Sequence, residues 1–244
     1  MKKLIIISGP SCAGKTPLLE AAGKACSCLS KGSRKLVIYN DRSPRPGEKE
    51  GVDYFFRARK EILRLKKVPG FLVMNVRGDL QALDTTGLLR QLKLSNVVFE
   101  GNTYMAGKLL RLPEIKRARM LSLFISPLSL EELREIRSKL GAKGLDRYIR
   151  EMMFAKLLRR AIRQGRAIDE TALRDLKRRA RCALKEIKEA PFYDHVIPNH
   201  DGEDSDNWGS IPVGDARRTI NAFLSILGGK SSVDSEKWPE KLPF

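Results

Sequence analysis

The chain has 244 residues, 42% hydrophobic and 31% charged, which fits one α/β domain with room for a subdomain and excludes a low-complexity chain. Lys and Arg outnumber Asp and Glu by 47 to 29, a formal net charge of +18, so anionic partners are favoured: nucleotides, nucleic acid or acidic surfaces. No apolar stretch is long enough to cross a bilayer, and the short apolar run after Lys2-Lys3 is no signal peptide, so a cytoplasmic protein with no membrane partner is expected.

Residues 4–7 form an apolar run that reads as a buried strand. The loop after it, Gly9-Pro10-Ser11-Cys12-Ala13-Gly14-Lys15-Thr16, fits the phosphate-cradling pattern G-x-x-x-x-G-K-[ST]. Gly9 and Gly14 let the backbone turn its N–H groups onto anionic oxygens. The following helix adds its positive end. Lys15 can reach the β- and γ-phosphates of ATP, and the Thr16 hydroxyl suits Mg2+ as a metal ligand. Pro17 is tolerable because a first-turn N–H needs no helical partner. The four cysteines, Cys12, Cys26, Cys28 and Cys182, read as reduced thiols, with Cys12 a small filler within the loop.

Residues 18–29 read as a helix and residues 35–39 as a second strand. Prolines and glycines then hold residues 40–56 out of regular structure. Arg42 and Arg45, three apart on a stiff segment, can face one anion with forked donors, and Tyr54 can add a neutral one. Taken alone, such a segment is a solvated loop more often than an anion site.

The segment RSPRPGEKEGVDYFF resembles the substrate-phosphate signature of the guanylate kinase family, R-x-P-R-x-G-E-x-x-G-x-D-Y-x-F, and GPSCAGKT precedes it in the right order and spacing. The resemblance extends to about Asn199. It implies an α/β P-loop kinase fold with a parallel-sheet core (1–36, 95–133 and 190–228), a small monophosphate-binding insert (37–94) and a helical lid (134–189). It also implies Mg2+-dependent transfer of the ATP γ-phosphoryl group to a nucleoside monophosphate, GMP or dGMP first. Arg42, Arg45 and Tyr54 match the residues that hold the acceptor's phosphate. Two alternatives stay open: a kinase of the same family acting on a different monophosphate, and a non-catalytic interaction module.

Residues 71–79 resemble a family stretch one residue longer. The base-reading glutamate falls at Val73, the phosphate-contacting tyrosine near Gln81 and a base-contacting serine at Ile38. Residues 97–102 read as a strand ending in Glu100 and Asn102, which stand at the two acidic positions of the family's D-x-D and are the candidates for base binding. Residues 120–125 are a further strand, and Ser129 with Glu132 forms a capping box. Residues 134–188 are helical in pattern and rich in arginine. Arg179 matches the arginine of the family's R-L-x-x-A-x-x-E, and Arg137 is a second candidate. With Lys15 and Arg42 they make up the expected catalytic set, cationic groups that neutralise charge on the transferring phosphoryl.

Residues 192–199 resemble a strand near the adenine site. Residues 200–210 read as an acidic polar loop, residues 215–227 as a last helix and residues 228–244 as a flexible tail with an exposed Trp238. No nucleic-acid-binding signature accompanies the basic charge, which argues against that partner. The sequence leaves the oligomeric state open.

Overall fold

The structure, a computed structural model, describes residues 2–45, 47–116, 119–242 and 244. Pro46 of the arginine-bearing segment lies outside them.

The centre of the molecule is β1 (Lys3–Ser8), whose residues 4–7 are fully buried. It is flanked by β7 (Asn96–Gly101) and β8 (Arg119–Ser126), both parallel to it. β2 (Ser33–Lys35) and β9 (His195–Pro198) complete a five-stranded sheet in the order β2-β7-β1-β8-β9, with every pairing parallel. A parallel sheet is covered on both faces, which is why residues 4–7 of β1 are an unbroken apolar run.

Alternation along the strands divides the core. Leu4, Ile6, Val97, Phe99 and Phe124 pack on one face with Leu88 and Leu92 of α4 (Thr85–Leu94) and Met105 of α5 (Thr103–Arg111). Ile5, Ile7, Val98, Leu123 and Ile125 pack on the other with Leu18 and Ala22 of α1 (Lys15–Ala25) and Phe223 of α9 (Gly214–Leu227).

A second sheet, in the order β4-β3-β6-β5, is built from β3 (Ile38–Asn40), β4 (Tyr54–Phe56), β5 (Phe71–Val76) and β6 (Asp79–Asp84). β5 and β6 form a hairpin closed by Arg77 and Gly78, both at positive φ, the geometry of a two-residue turn matched to strand twist. α3 (Arg59–Leu65) covers one face through Ile62, which packs with Leu80 and Ala82.

After a short α6 (Pro113–Lys116), the arginine-rich region is two long helices, α7 (Leu130–Arg163) and α8 (Glu170–Ile187). α7 opens on the expected capping box of Ser129 and Glu132 and is kinked at Gly141 (φ 68°).

Four expectations are corrected. The helix over 18–29 is two, α1 and α2 (Ser27–Ser30), because Cys26 between them is extended. The strand over 35–39 is split: β2 joins the parallel sheet and β3 the second one. Cys26 and Cys28 are joined as a disulfide, their Cα atoms 5.3 Å apart and within its reach, while Cys12 and Cys182 are free. The last segment packs on the core instead of hanging free. Glu236 bridges Val196 of β9, and Trp238 is 1% exposed among the core residues, because a large indole gains more from burial than a short tail gains from freedom.

Candidate active site

β1 delivers the chain into the phosphate loop, and the loop's turn depends on glycine. Gly9 has φ 146°, and a Cβ there would meet the Ile125 carbonyl oxygen at 2.2 Å. Gly14, the N-cap of α1, is left-handed at φ 91°. Pro17 falls in the first turn of α1, where its missing N–H costs no helical bond.

A cavity of about 180 Å3 opens over this loop. Gly9, Ser11, Cys12, Lys15 and Thr16 line it from one side, and Arg42, Arg45 and Tyr54 from the other. Glu100 and Asn102 at the end of β7 and Arg179 of α8 complete the sequence-derived set present. Pro10, Ala13, Gly14 and Arg137 do not line it. The Pro10 and Ala13 carbonyls accept from Lys15 Nζ and Asn199 Nδ2, and Arg137 sits in α7 ahead of the Gly141 kink.

On the loop side, Lys15 is buried, and burial holds its ammonium below the ordinary value. Its Nζ donates to the carbonyls of Gly9 (3.1 Å) and Pro10 (2.6 Å). Thr16 Oγ1 donates to Glu100 Oε1 at 2.7 Å. Burial, reinforced by Glu203 and Asp204, pushes the Cys12 thiol up to about 12, so it fills space as a neutral group, as expected.

On the opposite side, Arg42 donates both of its terminal nitrogens to Glu48, at 2.7 and 2.6 Å. Glu48 also accepts from the Arg45 backbone N–H at 2.7 Å. The Arg42 guanidinium lies over the Tyr54 ring, 5.0 Å from its centroid. Burial would lower Arg42 and raise Glu48, but their mutual bonds outweigh it, so the pair stays charged.

Arg179 joins the two sides. Its Nε donates to Ser11 Oγ at 3.2 Å, and its Nη1 stands 3.9 Å from Asp175, which lies 3.7 Å from Arg45. Burial, with Arg45, Arg77 and Arg160 nearby, pushes Arg179 well below the usual arginine value. A group that uncomfortable as a cation gains from any anion placed beside it.

Several lining residues escaped the sequence reading. Arg77, at the hairpin turn, donates to Ser11 Oγ at 2.9 Å and to Glu186 at 2.6 Å. Its signal was Arg-Gly between two apolar runs, a hairpin pattern that aims the side chain. Gln81 is buried and accepts from Asn102 Nδ2 at 2.8 Å, while Asn102 Oδ1 accepts from the Met105 N–H at 2.9 Å. Val73 packs with Ile62, Leu80 and Ala82, on the face opposite Gln81, so its position does not border the cavity. Glu203 and Arg160 also line the cavity. Lys156, Arg159, Arg160 and Arg163 recur at helical spacing, a basic stripe that needs an acidic partner.

A guanylate kinase from Hahella chejuensis is 30% identical over 205 residues, covering 82% of this chain and 79% of that protein. A guanylate kinase from Geobacter sulfurreducens is 30% identical over 196 residues, covering 80% of each. The chain belongs to the guanylate kinase family. The crystal structure of guanylate kinase from Anaplasma phagocytophilum matches the fold with a TM-score of 0.55 at 21% identity, over 93% of this chain and 85% of that one. No family model matches the chain. Family membership gives the two sheets a reading as a P-loop kinase fold, and the family is one of nucleoside monophosphate kinases. Among the described residues, no helix is long and apolar enough to cross a membrane.

Proposed function

We propose that this guanylate kinase family member transfers the γ-phosphoryl group of ATP to a nucleoside monophosphate, with GMP or dGMP as the first acceptor and the cytoplasm as its setting. The observation that carries this reading is that Lys15 of the phosphate loop and the Arg42–Arg45 pair line one cavity, with Arg179 between them.

The loop N–H groups and Lys15 hold the donor's phosphates. Arg42, Arg45 and Tyr54 hold the acceptor's phosphate, with Glu48 presetting the Arg42 fork. Arg179 spans the gap and neutralises charge on the moving phosphoryl. Holding donor and acceptor in line supplies most of the acceleration, so no strong general base is required. Arg137 has no part in this arrangement.

Thr16 and Glu100 present two oxygens 2.7 Å apart at the cavity, hard donors of the kind Mg2+ accepts alongside phosphate oxygens and waters. They are the residues that would hold it, and the ion would offset negative charge on the donor's phosphates.

A second reading, another base on the acceptor, rests on the Gln81–Asn102 pair, in which neither oxygen is free of a partner. A coupled ADP-release assay over GMP, dGMP, AMP, CMP, UMP and TMP tests both readings, with Arg42→Ala as control. ADP formed only with a monophosphate present, and lost in the control, supports the kinase. ADP formation with none of them overturns it.

A further inference from the structure

The phosphate loop already holds an anion, and it comes from the chain itself. Residues 199–208, between β9 and α9, cross the loop as a strap. Glu203 Oε2 accepts the Gly14 backbone N–H at 2.9 Å. That donor stands at the N-terminus of α1, where the turn and the helix dipole together favour negative charge. The Glu203 side chain is only 10% exposed, and its other oxygen stands 4.0 Å from Arg160 Nη1. Burial would raise its carboxyl, but Arg160, Lys15 and the Gly14 N–H outweigh it and hold the group ionised.

The strap is fastened at several points. Lys156 Nζ donates to the His200 carbonyl at 2.6 Å and pairs with Asp204 at 3.1 Å. Arg159 binds the other Asp204 oxygen through Nε (3.0 Å) and Nη2 (2.8 Å). Asn199 Nδ2 donates to the Ala13 carbonyl at 2.8 Å. At Gly202 the two backbones touch: a Cβ there would meet the Cys12 carbonyl oxygen at 2.1 Å. The Trp208 ring covers Gly14, where a Cβ would lie 3.0 Å from it. Meanwhile Lys15 Nζ is turned onto its own loop carbonyls and makes no bond to Glu203.

We propose that Glu203 is a built-in stand-in for a donor phosphate, and that Arg160, which it holds, is a catalytic arginine that the arriving donor inherits. A carboxylate oxygen and a phosphate oxygen compete for the same N–H. The donor therefore binds only the fraction of molecules in which the strap has released Gly14, and its apparent affinity is lowered by that fraction. Displacing Glu203 removes the partner of Arg160, which already lines the cavity beside Arg179. Its guanidinium is then free for the phosphoryl oxygens. The proposal that Arg160 is catalytic rests on the kinase reading above; the competition for Gly14 does not.

Calorimetric titration with ATP, without acceptor, tests the competition. Glu203→Ala should bind ATP about tenfold tighter than wild type, a change of about 1.4 kcal/mol. Glu203→Gln, which keeps the shape and loses the charge, should fall between. In a Trp238→Phe background the fluorescence reports Trp208 alone, and saturating ATP should shift it as the strap leaves Gly14. Folded Glu203 variants that bind ATP no tighter, or a Trp208 signal that ATP leaves unchanged, would overturn the proposal. The Trp208 measurement decides it even if both substitutions fail to fold.

Turnover tests Arg160. Arg160→Ala should lower kcat in the Glu203→Ala background as well as in wild type. If the double variant turns over as fast as Glu203→Ala alone, Arg160 only fastens the strap and its catalytic role is overturned. Strap release by ATP with no monophosphate phosphorylated would sink the kinase reading and leave the competition standing. Phosphorylation with unchanged ATP binding in the variants would do the reverse.

Discussion

Arg179 donates to the Ser11 hydroxyl at 3.2 Å while standing 3.9 Å from Asp175, so one side chain of α8 touches the phosphate loop and the carboxylate that faces Arg45. It is buried against its preference for water, and its pKa is depressed for that reason. Such a preset cation costs little to reorganise when charge moves past it. Arg179→Ala should lower kcat about 100-fold, about 2.7 kcal/mol, with smaller changes in either KM. Arg179→Lys should recover little, because an ammonium lacks the planar fork. Steady-state kinetics with each substrate varied in turn is the measurement, and an unchanged kcat removes Arg179 from the chemistry.

Arg42 is held by Glu48 through two bonds and lies over Tyr54. The carboxylate fixes the guanidinium before any acceptor arrives. Arg42→Ala should raise the acceptor's KM by at least about tenfold, since a charge-assisted bond to phosphate is worth about 1.5–3 kcal/mol. The KM for ATP should stay put, because Arg42 touches nothing in the phosphate loop. Glu48→Gln should move the same constant in the same direction by less. Equal effects on both substrates would mean that the segment supports the cavity as a whole.

The parts of this site legible in sequence are those in which local chemistry dictates local shape. The phosphate loop is contiguous, and its glycines, lysine and threonine each answer a backbone or charge requirement. The Ser129–Glu132 capping box is equally local. Glu203 was not legible. Its stretch is polar and acidic, and only packing against the basic stripe of α7 brings it to Gly14. Val73 shows a second limit. Counting along the motif gives its position, but the side chain faces α3, and a shift of one residue in a strand exchanges its two faces. Trp238 shows a third, because nothing near it in the chain announces that Val196 will pair with Glu236.

The amides of Gln81 and Asn102 are wired in one direction. Asn102 Oδ1 caps α5 through the Met105 N–H, so Nδ2 must be what donates to Gln81 Oε1. Asn102→Asp keeps the cap but replaces that donor with an oxygen. Gln81 must then turn its NH2 toward residue 102 and its carbonyl toward the cavity. Guanine's N1–H and N2–H2 edge would gain acceptors, so kcat/KM for GMP relative to AMP should rise about tenfold or more, about 1–3 kcal/mol. A ratio that does not move would show that the base sits elsewhere.

His200 ties the start of the strap to two helices. Nε2 meets Glu132 of α7 at 2.8 Å, and Nδ1 meets Asp215 of α9, which Arg218 also pairs. Burial would lower its pKa, but the two carboxylates outweigh that and raise it above the ordinary 6.5. A raised folded value means the folded state holds the proton more tightly than the unfolded chain. The pairing therefore contributes fully below about 6.5 and is lost as pH climbs through the raised folded value. Wild type should lose melting temperature from pH 6 to pH 8.5 by more than His200→Gln, which has no proton to release in that interval. The same slope in both proteins would place the wild-type dependence on other groups and leave His200 a neutral link.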